Sequence, residues 1–255
     1  MNNNNILITG AASGIGAATA RLFHSRGWQV GLLDINSEAL ARLSAELGGC
    51  WYQQLDVTDI DQVRPALAAF CALHNGQLRL LFNCAGILRF GYFEEIEQAE
   101  HLRIMQINVM GVCNMTHAAF SYLKATHNAQ VINMGSASGL YGVPEMATYS
   151  ASKFAIRGFT EALDLEWERH GIRVADLMPP FVNTPMVSSQ QHAPATLSRL
   201  GVNLEAAEIA NAVWQQVDSH AVHRPISLQF KLMYWAGQIS PAWMSRLSMR
   251  LLSRK

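Results

Sequence analysis

The chain has 255 residues, half of them apolar and only 15% charged, which suits one α/β domain with a sizeable buried core and excludes a disordered chain. The formal net charge is zero, but residues 1–218 hold 13 Lys/Arg against 19 Asp/Glu, while residues 219–255 hold six cations and no acid. An acidic body excludes a nucleic-acid binder by composition, and the basic end needs its own explanation.

From the N-terminus, Met1 and the four asparagines after it lack the basic and apolar regions of a signal peptide. No apolar run reaches the roughly 18 residues that would span a bilayer, so a cytoplasmic location is expected. Short aliphatic or β-branched runs at Ile6–Thr9, Gln29–Leu33, Trp51–Leu55, Leu78–Asn83, Gln130–Met134 and Arg173–Leu177 read as buried strands. Helical patterns lie between them over 15–26, 37–47, 59–73, 97–124, 148–169 and 205–217. Thr58 with Asp61 fits a capping box opening the third helix, and Gly27 and Gly171 fall where the chain must turn from helix to strand. Repeated β-α units predict a single doubly wound parallel sheet of Rossmann type with helices on both faces. One domain is expected over 1–230, followed by a basic amphipathic extension over 231–255. Cys50, Cys71, Cys84 and Cys113 are widely spaced and read as reduced thiols, so no metal site is expected.

The glycine-rich turn from Thr9 to Gly16 follows the first strand and opens the first helix. Gly10, Gly14 and Gly16, with Ser13 and Ile15 between them, would let backbone approach a pyrophosphate at a helix N-terminus. The spacing is G-x-x-x-G-x-G. Asp34 closes the second strand, where a carboxylate accepts the adenosine ribose hydroxyls and repels a 2′-phosphate. Neither Ser13 nor Ile35 is a cation that could neutralise such a phosphate, so NAD is favoured over NADP. Asp56 and Val57 end the third strand, a place to meet the adenine edge. Asn83, Ala85 and Gly86 end the fourth, where small residues leave room for the nicotinamide-side ribose. All these positions fall at the carboxyl rim of the strands, where open α/β sheets bind ligands.

Tyr149 and Lys153, four residues apart on a predicted helix, share one face. A lysine ammonium there favours tyrosinate, and the expectation is a Tyr149 pKa below the usual ~10. With these residues in place, the chain resembles a short-chain dehydrogenase/reductase of standard length. The resemblance rests on the glycine loop 9–16, Asn83–Gly86, Asn108, Ser136, Tyr149, Lys153 and the Pro179–Thr184 segment, and covers about residues 5–217. It implies that Tyr149 is the catalytic acid/base and that Lys153 holds the nicotinamide ribose. It further implies that Ser136 binds the substrate oxygen, Asn108 positions a relay water, and Val182 and Thr184 contact the nicotinamide carboxamide. Three features depart from the family pattern: Cys84 in place of a second Asn, Pro180 in place of Gly, and no Asp-Gly-Gly after the last strand. Ile226–Gln229 is the candidate for that last strand.

The stretch Met186–Leu204 reads as a lid, and Leu140, Met146, Phe181 and Met186 are expected among the substrate contacts, with Ile87, Leu88, Ala137 and Val143 as further apolar walls. An apolar alcohol or ketone fits such walls better than a sugar or an acid. Ser240-Pro241 would open a terminal helix on which Trp243, Leu247 and Leu251 recur every four residues, as do Arg246, Arg250 and Arg254. That helix reads either as a peripheral membrane contact through 240–255 or as packing on the body or a second subunit. A homodimer or homotetramer is expected. The leading function is NAD(H)-dependent interconversion of an alcohol and a carbonyl; the alternative is a non-catalytic dinucleotide-sensing protein on the same fold.

Overall fold

β1 (Asn5–Thr9) shows how the sequence builds the layers. Ile6 and Ile8 point to one face, where they meet Phe23, Leu40, Ile209 and Val213; Leu7 points to the other, against Phe70, Met115 and Trp167. All three strand residues are fully buried, each worth ~1.5–3 kcal/mol of apolar transfer. A strand covered on both sides needs a continuous apolar run, and parallel neighbours need crossover helices to cover it.

The computed structural model describes residues 4–190, 192–217 and 219–239, with Met244, Leu247, Met249, Arg250 and Leu252 beyond them; Ser198, Leu200 and residues 237–239 are described by backbone alone. After β1 come α1 (Gly14–Ser25), β2 (Gln29–Asp34), α2 (Ser37–Glu46), β3 (Tyr52–Gln54), α3 (Ile60–Ala72), β4 (Leu80–Asn83), α4 (Gln98–Met105) and α5 (Val112–Lys124). The chain continues with β5 (Gln130–Met134), α6 (Ala147–Trp167), β6 (Arg173–Met178), β7 (Val182–Asn183), α7 (Pro185–Ser188), α8 (Ala195–Leu200), β8 (Leu204–Glu205), α9 (Ala206–Val217), β9 (His223–Pro225) and α10 (Leu228–Ile239). Seven strands form one sheet in the order β3-β2-β1-β4-β5-β6-β9, with every pairing parallel. This is the expected doubly wound sheet. The order reverses between β1 and β4, which opens a crevice at their carboxyl ends. β7 and β8 pair separately, through Val182 and Leu204, and fix the segment after Pro179. Among the described residues no helix is long and apolar enough to cross a membrane.

Three local expectations are corrected. The helix over 97–124 is interrupted by a π-helical turn at Gln106–Gly111. There the Asn108 amide is spent on the Ile87 backbone, and Gly111 packs so close to Val57 that a Cβ would stand 2.5 Å from its Cγ2. Helix α3 is capped by Asp59, which accepts from the Asp61 and Gln62 N–H groups, because the Thr58 hydroxyl donates to Asp56 instead. The last strand is His223–Pro225, not Ile226–Gln229. Ser227 turns the chain at φ +74°, and its Oγ accepts from Phe230 N, so α10 starts where a strand was expected.

The expected helix start at Ser240-Pro241, together with Trp243, Arg246, Leu251 and Arg254, lies outside the described residues. Of the described ones, Leu247 is 49% exposed, while Met249 is buried and packs with Leu88, Phe90 and Val143.

Candidate active site

The crevice at the switch point is a cleft of about 720 Å³. Its cofactor end is built from backbone. Gly10 (φ +66°) lies so near β4 that a Cβ would stand 2.8 Å from Ala85 Cα, and a Cβ on Gly16 would stand 2.1 Å from the Gly10 carbonyl. Only glycine fits either place. The loop is tied to β2, since Ala11 N donates to the Leu33 carbonyl and Ala12 N to Asp34 Oδ2 (3.0 Å). The second Asp34 oxygen accepts from Asn36 N. Across the switch point, Thr9 Oγ1 accepts from both Cys84 N and Ala85 N, at 3.0 and 3.1 Å. Ser13 occupies the N-cap of α1 without spending its side chain on the helix. An anion complements such a helix end, and the glycine cradle leaves space for backbone to reach it. The residues present therefore fit a dinucleotide, with Gly10–Gly16 against its phosphates and Asp34 at the far end of the loop.

Ser136, Tyr149 and Lys153 line the same cleft. The Ser136 hydroxyl follows β5 and accepts from Ser138 Oγ at 3.0 Å. The short turn Ala137–Gly139 presses on α6, where a Cβ on Gly139 would meet the Lys153 carbonyl at 2.8 Å. Lys153 is buried and donates to the Met134 carbonyl at 2.7 Å, with its Nζ 5.4 Å from the Tyr149 ring centroid. Burial pulls the lysine down to about 8, against the thiol of Cys84 and the carboxylate of Asp176, which raise it.

The expected acidic tyrosine is corrected. Burial pushes the Tyr149 phenol up to about 12; the Ser136 hydrogen bond lowers it and the Cys84 thiol raises it further. The side chain keeps some exposure because it walls an open cleft, but its surroundings disfavour the phenolate. The ammonium of Lys153 is directed at a main-chain carbonyl, so it does not offset that cost. The Cys84 thiol is also pushed up to about 12, by burial first, and stays protonated.

The substrate end is apolar. Leu88, Val143, Met146, Phe181, Met186, Val187 and Met249 face it, with Tyr141, whose phenol burial also raises to about 12. Most sequence-selected residues do reach the cleft: Gly10, Ser13, Gly14, Ile15, Gly16, Asp34, Asp56, Val57, Ala85, Gly86, Met146, Phe181, Val182, Thr184 and Met186. Three do not. Asn83 is buried beneath the rim, donating to Thr116 Oγ1 and Asn133 Oδ1. Leu140 packs instead with Ala137, Met178 and Phe230. Asn108 sits behind the cleft wall, its amide accepting from Ile87 N (2.8 Å) and donating to the Ile87 carbonyl and Ser152 Oγ. Its side chain thus fixes the segment after β4 rather than facing the cleft. Tyr141, Thr196 and Met249 line the cleft without having been singled out.

The short chain dehydrogenase family model matches residues 4–195. The chain is 35% identical over 214 residues to a 3-alpha-(or 20-beta)-hydroxysteroid dehydrogenase of Mycobacterium bovis, covering 81% of this chain and 79% of that protein. It superposes on a short-chain dehydrogenase/reductase from Burkholderia phymatum in complex with NAD, with a TM-score of 0.81, 25% identity and 92% of each chain covered. It is also similar to actinorhodin polyketide ketoreductase with NADPH, at a TM-score of 0.79 and 27% identity, covering 88% of this chain and 95% of that one. With its glycine loop, its Ser-Tyr-Lys cluster and these matches, the chain belongs to the short-chain dehydrogenase/reductase family.

Proposed function

We propose that the protein is an NAD(H)-dependent oxidoreductase that interconverts an alcohol and a carbonyl on an apolar small molecule. The observation that carries this reading is the meeting of Ser136, Tyr149 and Lys153 in one cleft with the glycine loop at one end and apolar walls at the other. When bound, a nicotinamide dinucleotide supplies the hydride acceptor or donor and, in its oxidised form, a positive charge that favours tyrosinate.

The chain's own residues handle the proton. Tyr149 Oη gives a proton to the carbonyl oxygen in reduction and takes the hydroxyl proton in oxidation. Ser136 Oγ hydrogen-bonds the same oxygen as charge develops on it. Lys153, held by the Met134 carbonyl, places a cation beside the tyrosine, and the apolar wall keeps bulk water from the reacting carbon. Asp34 supports NAD over NADP, because both its oxygens are fixed by backbone N–H groups at the end of β2, where a 2′-phosphate would meet a like charge.

A screen of cyclic secondary alcohols and their ketones, followed at the NADH absorbance band, tests the reading with wild type and Tyr149→Phe. Wild type is expected to turn over at least one pair and the variant none. Equal turnover by both proteins, or none by wild type across the screen, would overturn the proposal.

A further inference from the structure

Helix α10 is apolar on more than one side. Of its 12 residues only Lys231 is charged. A surface helix needs one apolar stripe to face a core, and a helix apolar all round is normally covered all round. Here the covering is half complete. Phe230 and Tyr234 are buried in a cluster with Ala137 and Met178, which fixes the way the helix lies. Away from that cluster stand Leu228, Leu232 and Trp235, which are 76%, 65% and 68% exposed. Spaced four and three residues apart, they form one stripe about 10 Å long. Among the described helices no other exposes as many large apolar side chains.

The surroundings of this stripe are basic. After residue 218 the chain holds Arg224, Lys231, Arg246, Arg250, Arg254 and Lys255 and no acid. Lys231 is exposed on α10 itself. Arg157 of α6 lies 6.0 Å from the Tyr234 ring centroid, and the Glu161 carboxylate is taken up by Arg157 and His223. Tyr141 belongs both to the cluster of Phe230 and Tyr234 and to the cluster of Met249 and Leu252, which brings the basic end of the chain beside α10.

We propose that the outer face of α10 docks on an anionic lipid surface. Aliphatic side chains with an indole among them suit the boundary between headgroups and acyl chains, and flanking lysine and arginine suit anionic headgroups. A second copy of the chain is the rival cover. Two-fold pairing sets a patch against itself, so the cations of one basic segment would meet those of the other with no acid from either segment to offset them. A lipid surface of opposite charge avoids that repulsion. Because Tyr141 and Met249 also line the cleft, the same side of the molecule borders the apolar substrate end.

Sedimentation of the full chain with vesicles of phosphatidylcholine alone, and of phosphatidylcholine mixed with phosphatidylglycerol, tests the proposal. Wild type is expected to partition about tenfold more strongly onto the mixed vesicles, and raised salt should weaken that binding. The double variant Leu232→Ser/Trp235→Ser should bind the mixed vesicles about tenfold more weakly. Leu73→Ser, at an exposed leucine just past α3, should bind as wild type does. Thermal melting checks that each variant folds; if the double variant does not, Leu232→Ser and Trp235→Ser are scored singly by the same criterion. No binding of wild type to the mixed vesicles, equal binding to both vesicle types, or undiminished binding by the stripe variants overturns the proposal. So does light scattering that shows a wild-type dimer turned into monomers by the stripe variants while vesicle binding is absent, since the face then belongs to a second copy.

Discussion

The Lys153 ammonium lies 2.7 Å from the Met134 carbonyl, while the ring of Tyr149 is 5.4 Å away. The lysine is therefore anchored to the end of β5, and its charge does not offset the burial of the tyrosine. The phenol, pushed up to about 12, should stay protonated in the ligand-free protein at all neutral and mildly alkaline pH values. A difference titration of tyrosinate absorbance between wild type and Tyr149→Phe should show no ionisation below about pH 10 without cofactor. Addition of NAD should move the ionisation to lower pH. A phenolate already present near neutrality in the free protein would contradict the burial argument.

Tyr149→Phe should also leave NADH affinity within about twofold of wild type, since it removes one hydroxyl and keeps the ring. Fluorescence titration of NADH measures this directly. A large loss of affinity would mean that the hydroxyl serves binding more than proton transfer.

Asp34→Ala should raise the preference for NADPH relative to NADH by on the order of tenfold, because a like charge is removed from the end of β2. The same change deletes the acceptor for Ala12 N and Asn36 N, so a stability loss of about 1 kcal/mol is expected alongside it. Cofactor titrations with both nucleotides, paired with a denaturant melt, separate the two effects.

Gly16→Ala tests the backbone cradle. The added methyl would meet the Gly10 carbonyl at 2.1 Å, so the loop must move. A destabilisation of about 1–3 kcal/mol and a clear loss of NADH affinity are expected. Gly142→Ala, where a Cβ meets nothing within 4 Å, is the matched control and should do neither.

His223 gives a pH dependence of stability. Burial pulls its pKa down, but hydrogen bonds to Asp176 (3.0 Å) and Glu161 (2.8 Å) outweigh that and raise it above 6.5. A raised histidine contributes stability that is fully present below its unfolded pKa and is lost as pH rises through the folded one. Burial raises Asp176 as well, despite His223, so the folded chain also holds that proton more tightly than the unfolded chain does. Both effects make stability fall with rising pH. The melting temperature should decline between about pH 6 and pH 8 in wild type, below the range in which the lowered Lys153 acts in the opposite sense, and less steeply in His223→Gln. Parallel curves for the two proteins would remove the His223 contribution.

The sheet was readable because five of its seven strands are mainly apolar runs separated by helices of ordinary length, and the glycines and Asp34 stand at strand ends where spacing alone places them. What escaped were features that depend on three-dimensional neighbours. Asn108 is a poor residue for a helix interior, but no pattern reveals that its amide serves Ile87 through a π-helical turn. The fate of Ser227 depended on a left-handed backbone that a serine seldom adopts, so a strand was expected where α10 begins. The raised Tyr149 pKa followed from burial that four-residue spacing cannot express. Thr196 sits in a stretch of small and polar residues whose pattern does not reveal its burial beside the cleft.

Met249 joins the far end of the polypeptide to the wall around Leu88, Phe90 and Val143. Shortening the protein before that methionine would thus do more than detach an appendage: it would strip one side from the chamber where reactants gather. A chain shortened there should accordingly display a broadened choice of reactants.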